Sequence, residues 1–212
     1  MDETTTILVS IIDRSGSMSG LEKKTIEGFN HFLAGQREIK GEVEVNTILF
    51  DDQFEILHNE LPIDHVTPMT EEQYYTRGST ALLDAIGQSI HHLEVRIRKT
   101  EKPLADKVIF LIITDGMENS SQRYTFDVIR SLIKKHSQND KWEFIFLGAN
   151  MDAVKEASRF GIHRDRAMNY RATEQGVEHL YQSANQMATH IRANRQFSSQ
   201  DYELPDDKKP IK

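Results

Sequence analysis

Hydrophobic positions along the chain follow two rhythms. Ile7 to Ile12, Val43 to Phe50, Val108 to Thr114 and Phe144 to Leu147 are short runs rich in β-branched and aromatic residues, which predicts buried strands, with Phe54 to His58 as a fifth. Between them, apolar residues recur every third or fourth position. That spacing predicts helices over Leu21 to Ile39, Leu82 to Ile97, Phe126 to His136, Ala153 to Phe160 and Val177 to Ile191. In the second of these, Leu82, Ile86, Ile90, Leu93 and Ile97 share one face. Alternating strands and helices predict an α/β fold whose mostly parallel sheet is covered on both sides.

Two segments break the rhythm. The connection from Leu61 to Gly78 contains Pro62 and Pro68 and no periodic stretch, and long loops in compact domains often carry function. After Arg195 the chain reads QFSSQDYELPDDKKPIK, polar and interrupted by proline. We therefore expect one domain over residues 5–195 and a flexible polar tail over 196–212, with a docking segment around Tyr202 and Leu204.

Composition narrows the function classes. The 212 residues are 38% hydrophobic and 28% charged, as in a globular protein, and contain no cysteine, which excludes disulfides and thiolate chemistry. A formal charge of −7 without a Lys/Arg block argues against nucleic-acid binding. The opening MDETTTILVSIIDR has no basic segment before its apolar run, and no run approaches the roughly 20 residues of a membrane span, so neither a secretion signal nor a span is expected. A cytoplasmic setting suits these features.

The chemistry concentrates at three strand or helix ends: IIDRSGSMSG after the first strand, RGSTALLDAI opening the helical stretch from Leu82, and LIITDGMENSS after the strand that begins at Val108. In open α/β sheets ligands sit outside the carboxyl ends of the strands. Hydroxyl and carboxylate oxygens suit a small hard cation such as Mg²⁺. The spacing Asp13, Ser15, Ser17 returns alternate side chains to one side, and Gly16 and Gly20 permit a turn.

These residues resemble a known family. Asp13-Arg14-Ser15-Gly16-Ser17, with Thr80 in RGST and Asp115 in TDG, is similar to the complete metal-ion-dependent adhesion site of von Willebrand factor A domains, and the likeness runs from Thr5 to Arg195. It resembles the intracellular, bacterial, single-domain members. The resemblance implies a doubly wound six-stranded sheet in the order 3-2-1-4-5-6, the third strand antiparallel, with helices on both faces. It also implies that Ser15, Ser17 and Thr80 bind Mg²⁺ or Mn²⁺ through their hydroxyls while Asp13 and Asp115 hold and neutralise the ion. An Asp or Glu of a partner protein would complete the coordination shell. Rearrangement at the ion would be coupled to the last helix, Val177 to Ile191.

Met18, Tyr74, Tyr75 and Met117 fall in the loops expected around the ion, as a binding face or as core, and Glu118 is grouped with them as a partner-binding candidate. Glu118 and Asn119 are candidates for a water-mediated contact to the ion. Asp84 is expected to anchor a loop, and Asp51 and Asp52 to form a turn. The adjacent His91 and His92 diverge on a helix and do not form a metal pair.

Enzyme readings fare worse. A haloacid-dehalogenase-type phosphatase needs a second Asp where Ser15 stands, Met18 occupies the centre of GSMSG where a nucleophile elbow needs serine, and no phosphate-binding loop motif occurs. The expected activity is therefore metal-dependent recognition without catalysis. Two alternatives stay open: a metal-assisted phosphoester hydrolase, and a subunit that presents substrates to an AAA+ ATPase.

Overall fold

The computed structural model describes residues 4–99, 105–139, 141–198 and 201–202. Six strands form one sheet in the order β3-β2-β1-β4-β5-β6. They are β1 (Thr5–Asp13), β2 (Glu42–Phe50), β3 (Phe54–Pro62), β4 (Lys107–Thr114), β5 (Trp142–Ala149) and β6 (Ala167–Tyr170). Only β3 runs antiparallel, against β2. The helices are α1 (Glu22–Arg37), α2 (Leu82–Lys99), α3 (Phe126–His136), α4 (Ala153–Arg159) and α5 (Glu174–Arg192).

Alternation along β1 explains the layering. Leu8 and Ile12 face a core shared with α1 and α5, whereas Ile7, Val9 and Ile11 face a second core built with α2, α3 and α4. Both faces of the strand are therefore apolar, as a central parallel strand requires. The helices start on side-chain caps where the loops supply them: Thr125 for α3, Asp152 for α4 and Thr173 for α5.

The structure differs from the sequence expectations at several places. β6 has no counterpart in the residue pattern, because four residues, Ala167 to Tyr170, are too few to show alternation. β3 extends past His58 to Pro62 through an irregular stretch where Glu60 adopts φ +55, which masks its period. α1 is shorter than the apolar spacing suggests, since Leu21 and Ile39 lie just outside it.

Phe197 and Tyr202, beyond Arg195, also pack against the core. The Tyr202 hydroxyl is 2.6 Å from His190 Nδ1, His179 Nε2 is 2.6 Å from the Tyr202 carbonyl, and the Arg166 guanidinium lies over the Phe197 ring. The packed unit thus reaches Tyr202, past the boundary expected at Arg195. Leu204 lies outside the described residues.

α1 and α5 approach closely where Gly28 faces Tyr181: a β-carbon on Gly28 would sit 2.3 Å from that buried ring. Gly28→Ala gains helix propensity but overpacks this contact, so urea unfolding should show a net loss of about 1–3 kcal/mol.

Candidate metal centre

β1 ends at Asp13 and β4 at Thr114, and because the two strands pair in parallel, with Ile12 opposite Ile113, their following loops emerge side by side. The strand order reverses between these two strands, which is where an open α/β sheet leaves a crevice. Asp13 is fixed there from both oxygens. Its Oδ1 accepts the Ser15 N–H at 2.7 Å, and its Oδ2 accepts the Thr114 hydroxyl at 2.5 Å.

The remaining oxygens form a chain. Thr80 donates its hydroxyl to Ser15 Oγ at 3.0 Å, Ser15 Oγ lies 3.1 Å from Ser17 Oγ, and Ser17 donates to Asp115 Oδ1 at 2.5 Å. All five sequence-predicted ion ligands are therefore brought to one place. Asp13, Ser15, Thr80 and Asp115 are buried, while Ser17 is exposed, so the cluster opens outward at Ser17.

Both carboxylates are electrostatically unfavourable in this protein alone. Burial raises Asp13 to about 6, against the hydrogen bonds from Thr114 and Ser15 and with the Asp115 charge adding to the rise. Burial likewise raises Asp115, opposed by the Ser17 hydroxyl. Neither acid takes part in an ion pair among the described residues.

Three observations fit a small divalent cation. Asp115 Oδ2 is buried and has no hydrogen-bond partner, an uncommon state for a carboxylate oxygen. A β-carbon on Gly116 would lie 2.9 Å from Thr80 Oγ1, 3.1 Å from Ser17 Oγ and 3.8 Å from Ser15 Oγ, so the glycine keeps open a cradle lined by three hydroxyls. The hydroxyl spacings of 3.0 and 3.1 Å approach the ~2.9 Å that separates adjacent ligands around an octahedral Mg²⁺. No group of three or more His, Cys, Asp or Glu that could hold a metal ion occurs among the described residues; the cluster itself offers three hydroxyls and two carboxylates.

The surrounding loops correct several expectations. Met18 is buried, with its sulfur 4.0 Å from the Tyr170 hydroxyl, and Tyr74 is buried, donating to the Asp13 carbonyl at 2.6 Å. Both belong to the core under the site and offer nothing to a partner. Glu118 is occupied: its carboxylate accepts the N–H groups of Leu83, Ser120 and Ser121 and the Ser121 hydroxyl, which fastens the start of α2. Asn119 grips Thr80 instead of reaching inward, its Oδ1 accepting the Thr80 N–H and its own N–H donating to the Thr80 carbonyl. Asp84 anchors the loop ahead of α3 by accepting three N–H groups, from Gln122, Arg123 and Tyr124. His91 and His92 are exposed on α2. Tyr75 and Met117 remain at the surface, 46% and 61% exposed.

Two positions were missed by sequence reasoning. Thr114 orients Asp13, yet it reads as the last residue of a strand. Asp51 reads as a turn but is fully buried and binds Arg14 and Arg77, both from segments that carry ion ligands. Its only local signal is its place immediately after β2, one step beyond the level at which Asp13 ends β1.

No protein-family model and no curated protein matches the chain. Solved structures do. The mussel byssus proximal thread matrix protein 1 with a zinc-occupied MIDAS motif aligns over 88% of this chain and 46% of its own, at 14% identity and TM-score 0.61. The von Willebrand factor type A protein from Catenulispora acidiphila aligns over 89% and 43%, at 14% identity and TM-score 0.61. The ArnB paralog VWA2 from Sulfolobus acidocaldarius aligns over 92% and 46%, at 17% identity and TM-score 0.50. The chain thus spans about half the length of each. With the sheet order and the single antiparallel strand, these likenesses show that the chain adopts the von Willebrand factor A fold.

Proposed function

We propose that the domain is a metal-dependent recognition module that binds Mg²⁺ or Mn²⁺ and docks a partner protein through an acidic residue. The observation that carries this reading is the outward-opening cradle beside Gly116, where three hydroxyls converge and Ser17 is held by Asp115, whose Oδ2 is buried without a partner. Ser15, Ser17 and Thr80 would hold the ion with Asp13 and Asp115. When bound, the ion supplies an electrophilic centre, because hydroxyl ligands leave its charge largely uncancelled and available to an incoming carboxylate.

The chain's own residues prepare that centre. Thr114 and the Ser15 N–H orient Asp13, Asn119 holds Thr80 from both backbone groups, and Tyr74 fixes the Asp13 carbonyl. Tyr75, on the connection that leads to Thr80, and Met117, on the loop that carries Asp115, are exposed and offer apolar surface to the partner. The reading is recognition rather than catalysis because the groups that could serve as base are taken. Asp13 is buried and doubly hydrogen-bonded, and Glu118 is tied to four donors. The proposal includes a cytoplasmic setting, with which the cysteine-free sequence is compatible. Among the described residues no helix is long and apolar enough to cross a membrane.

Titration calorimetry tests the site. The wild-type chain should bind Mg²⁺, and an Mg²⁺ excess of about 100 times Kd should stabilise it by about 2.7 kcal/mol, reversed by chelator. Asp13→Ala should abolish the binding heat with little loss of fold, and undiminished binding would overturn the assignment. Gly116→Ala should fold and yet bind Mg²⁺ about tenfold or more weakly, since its methyl group enters the cradle. For the partner, peptides selected on the Mg²⁺-loaded domain should share an Asp or Glu and be released by chelator. Selected peptides that stay bound under chelation would count against metal-bridged docking.

A further inference from the structure

Asp51 stands one residue beyond the end of β2 and makes no hydrogen bond to any of the five ion ligands. Its contacts lead to the segments that carry them. Asp51 Oδ2 accepts Arg14 Nε–H at 2.9 Å and Arg77 Nε–H at 2.6 Å, and its Oδ1 accepts the Gln53 N–H at 2.7 Å. The Asp51 carbonyl accepts the Ala81 N–H at 2.9 Å. Arg14 lies between Asp13 and Ser15, and Ala81 follows Thr80. One residue therefore grips the loop that presents Ser15 and Ser17 and, at two points, the connection that presents Thr80.

The grip is hard to replace. The Arg14 side chain is wholly buried, with Nη1 lacking any partner, and an arginine cannot shed its proton to escape burial. Among the described residues Asp51 is its one fully buried counter-charge, because Glu55, which Arg14 meets at 2.7 Å, is about half exposed. Arg77 and Arg14 both stack against Tyr75, at 5.4 and 5.6 Å from the ring centre, so the two guanidiniums, the ring and the carboxylate form one packed unit. Loss of the Asp51 charge would force Arg14 toward solvent, and the backbone of Ser15 would follow. Arg14 is also tied into the connection through the Arg77 N–H to its carbonyl, and Gly16 through its own N–H to the Gly78 carbonyl. A shift in one loop is thereby passed to the other.

We propose that Asp51 is a positioning residue that sets the spacing of the hydroxyl cradle and, through it, the preference of the site for Mg²⁺ over Ca²⁺. The inference rests on the reading of Asp13, Ser15, Ser17, Thr80 and Asp115 as a divalent-cation site. Mg²⁺ demands near-ideal octahedral geometry at about 2.0–2.1 Å, whereas Ca²⁺ accepts six to eight oxygens at about 2.3–2.6 Å in variable arrangements. A cradle released by a few tenths of an ångström loses Mg²⁺ first.

The test compares Mg²⁺ and Ca²⁺ affinities by calorimetry in wild type, Asp51→Asn and Arg77→Met, with thermal unfolding alongside. Asp51→Asn should weaken Mg²⁺ about 10–100-fold while moving Ca²⁺ by less than about threefold. Arg77→Met removes one arm of the grip from a side chain 35% exposed, so it should fold and shift selectivity in the same direction by a smaller factor. It decides the matter should Asp51→Asn fail to fold. Equal weakening of both cations in either folded variant, or no change, overturns the positioning role. A wild-type chain that binds neither cation overturns the reading of the site itself.

Discussion

Two carboxylates held out of water at the neighbouring ends of β1 and β4 are the constraint around which this end of the molecule is organised. Parallel pairing of these strands leaves Asp13 and Asp115 no choice but to share the crevice where the strand order reverses. An isolated buried carboxylate is costly, and two of them side by side more so, which the upward shift of both groups reflects. The fold meets that cost with dipoles. Hydroxyls of Thr114 and Ser17 and the Ser15 N–H point at the acids, and no cationic side chain pairs with either among the described residues. Dipoles orient a carboxylate without cancelling its charge, so the negative potential is kept for something else.

Cations are present nearby but are routed away. Successive residues of an extended segment point to opposite sides, so Asp13 and Ser15 turn into the cluster while Arg14 between them turns out of it. Asp51 receives that arginine one strand over, and Arg77 joins it there. Burial alone would raise the Asp51 pKa, but the hydrogen bonds from Arg77 and the Gln53 N–H and the charge of Arg14 outweigh it and hold the group below the usual carboxylate range. The result is two adjacent compartments at the carboxyl edge of the sheet. One is charge-balanced and packed; the other is negative, oxygen-rich and open at Ser17.

How much of this was legible in the sequence depends on how local each signal is. β1, β2, β4 and β5 announce themselves because a central parallel strand is apolar on both faces, and α2 does so through five residues in step. β6 is too short to have a period, and the ion-ligand trio Asp13, Ser15, Ser17 stands out by spacing alone. Thr80 and Asp115 lie in segments that strand and helix ends already mark as ligand-bearing, but the family resemblance is what joins them to that trio in one site. Met18 and Tyr74 illustrate the limit. A large apolar residue in a loop is compatible with a rim or with a core, and only the tertiary contacts with Tyr170 and the Asp13 carbonyl decide for the core. Asp51 was illegible for the complementary reason: an acid after a strand has the form of a turn, and its partners lie 37 and 26 residues away.

The same separation of local from long-range signals bears on what a partner would meet. Ser17 is the exposed member of the oxygen cluster, and the large apolar groups on neighbouring loops that reach solvent are Tyr75 and Met117. Glu118, three residues past Asp115, is turned back onto the start of α2, where three N–H groups and a hydroxyl hold its carboxylate. On the reading proposed above, a face with an electrophilic centre and apolar flanks would discriminate in two stages. Charge would be read at the centre, where a mismatched group is expensive, and shape at the flanks, where Tyr75 and Met117 present exposed apolar surface. On the proposed reading, such a division would leave capture of the acid to the oxygens joined in the chain from Thr80 to Asp115, and selectivity among acidic partners to Tyr75 and Met117.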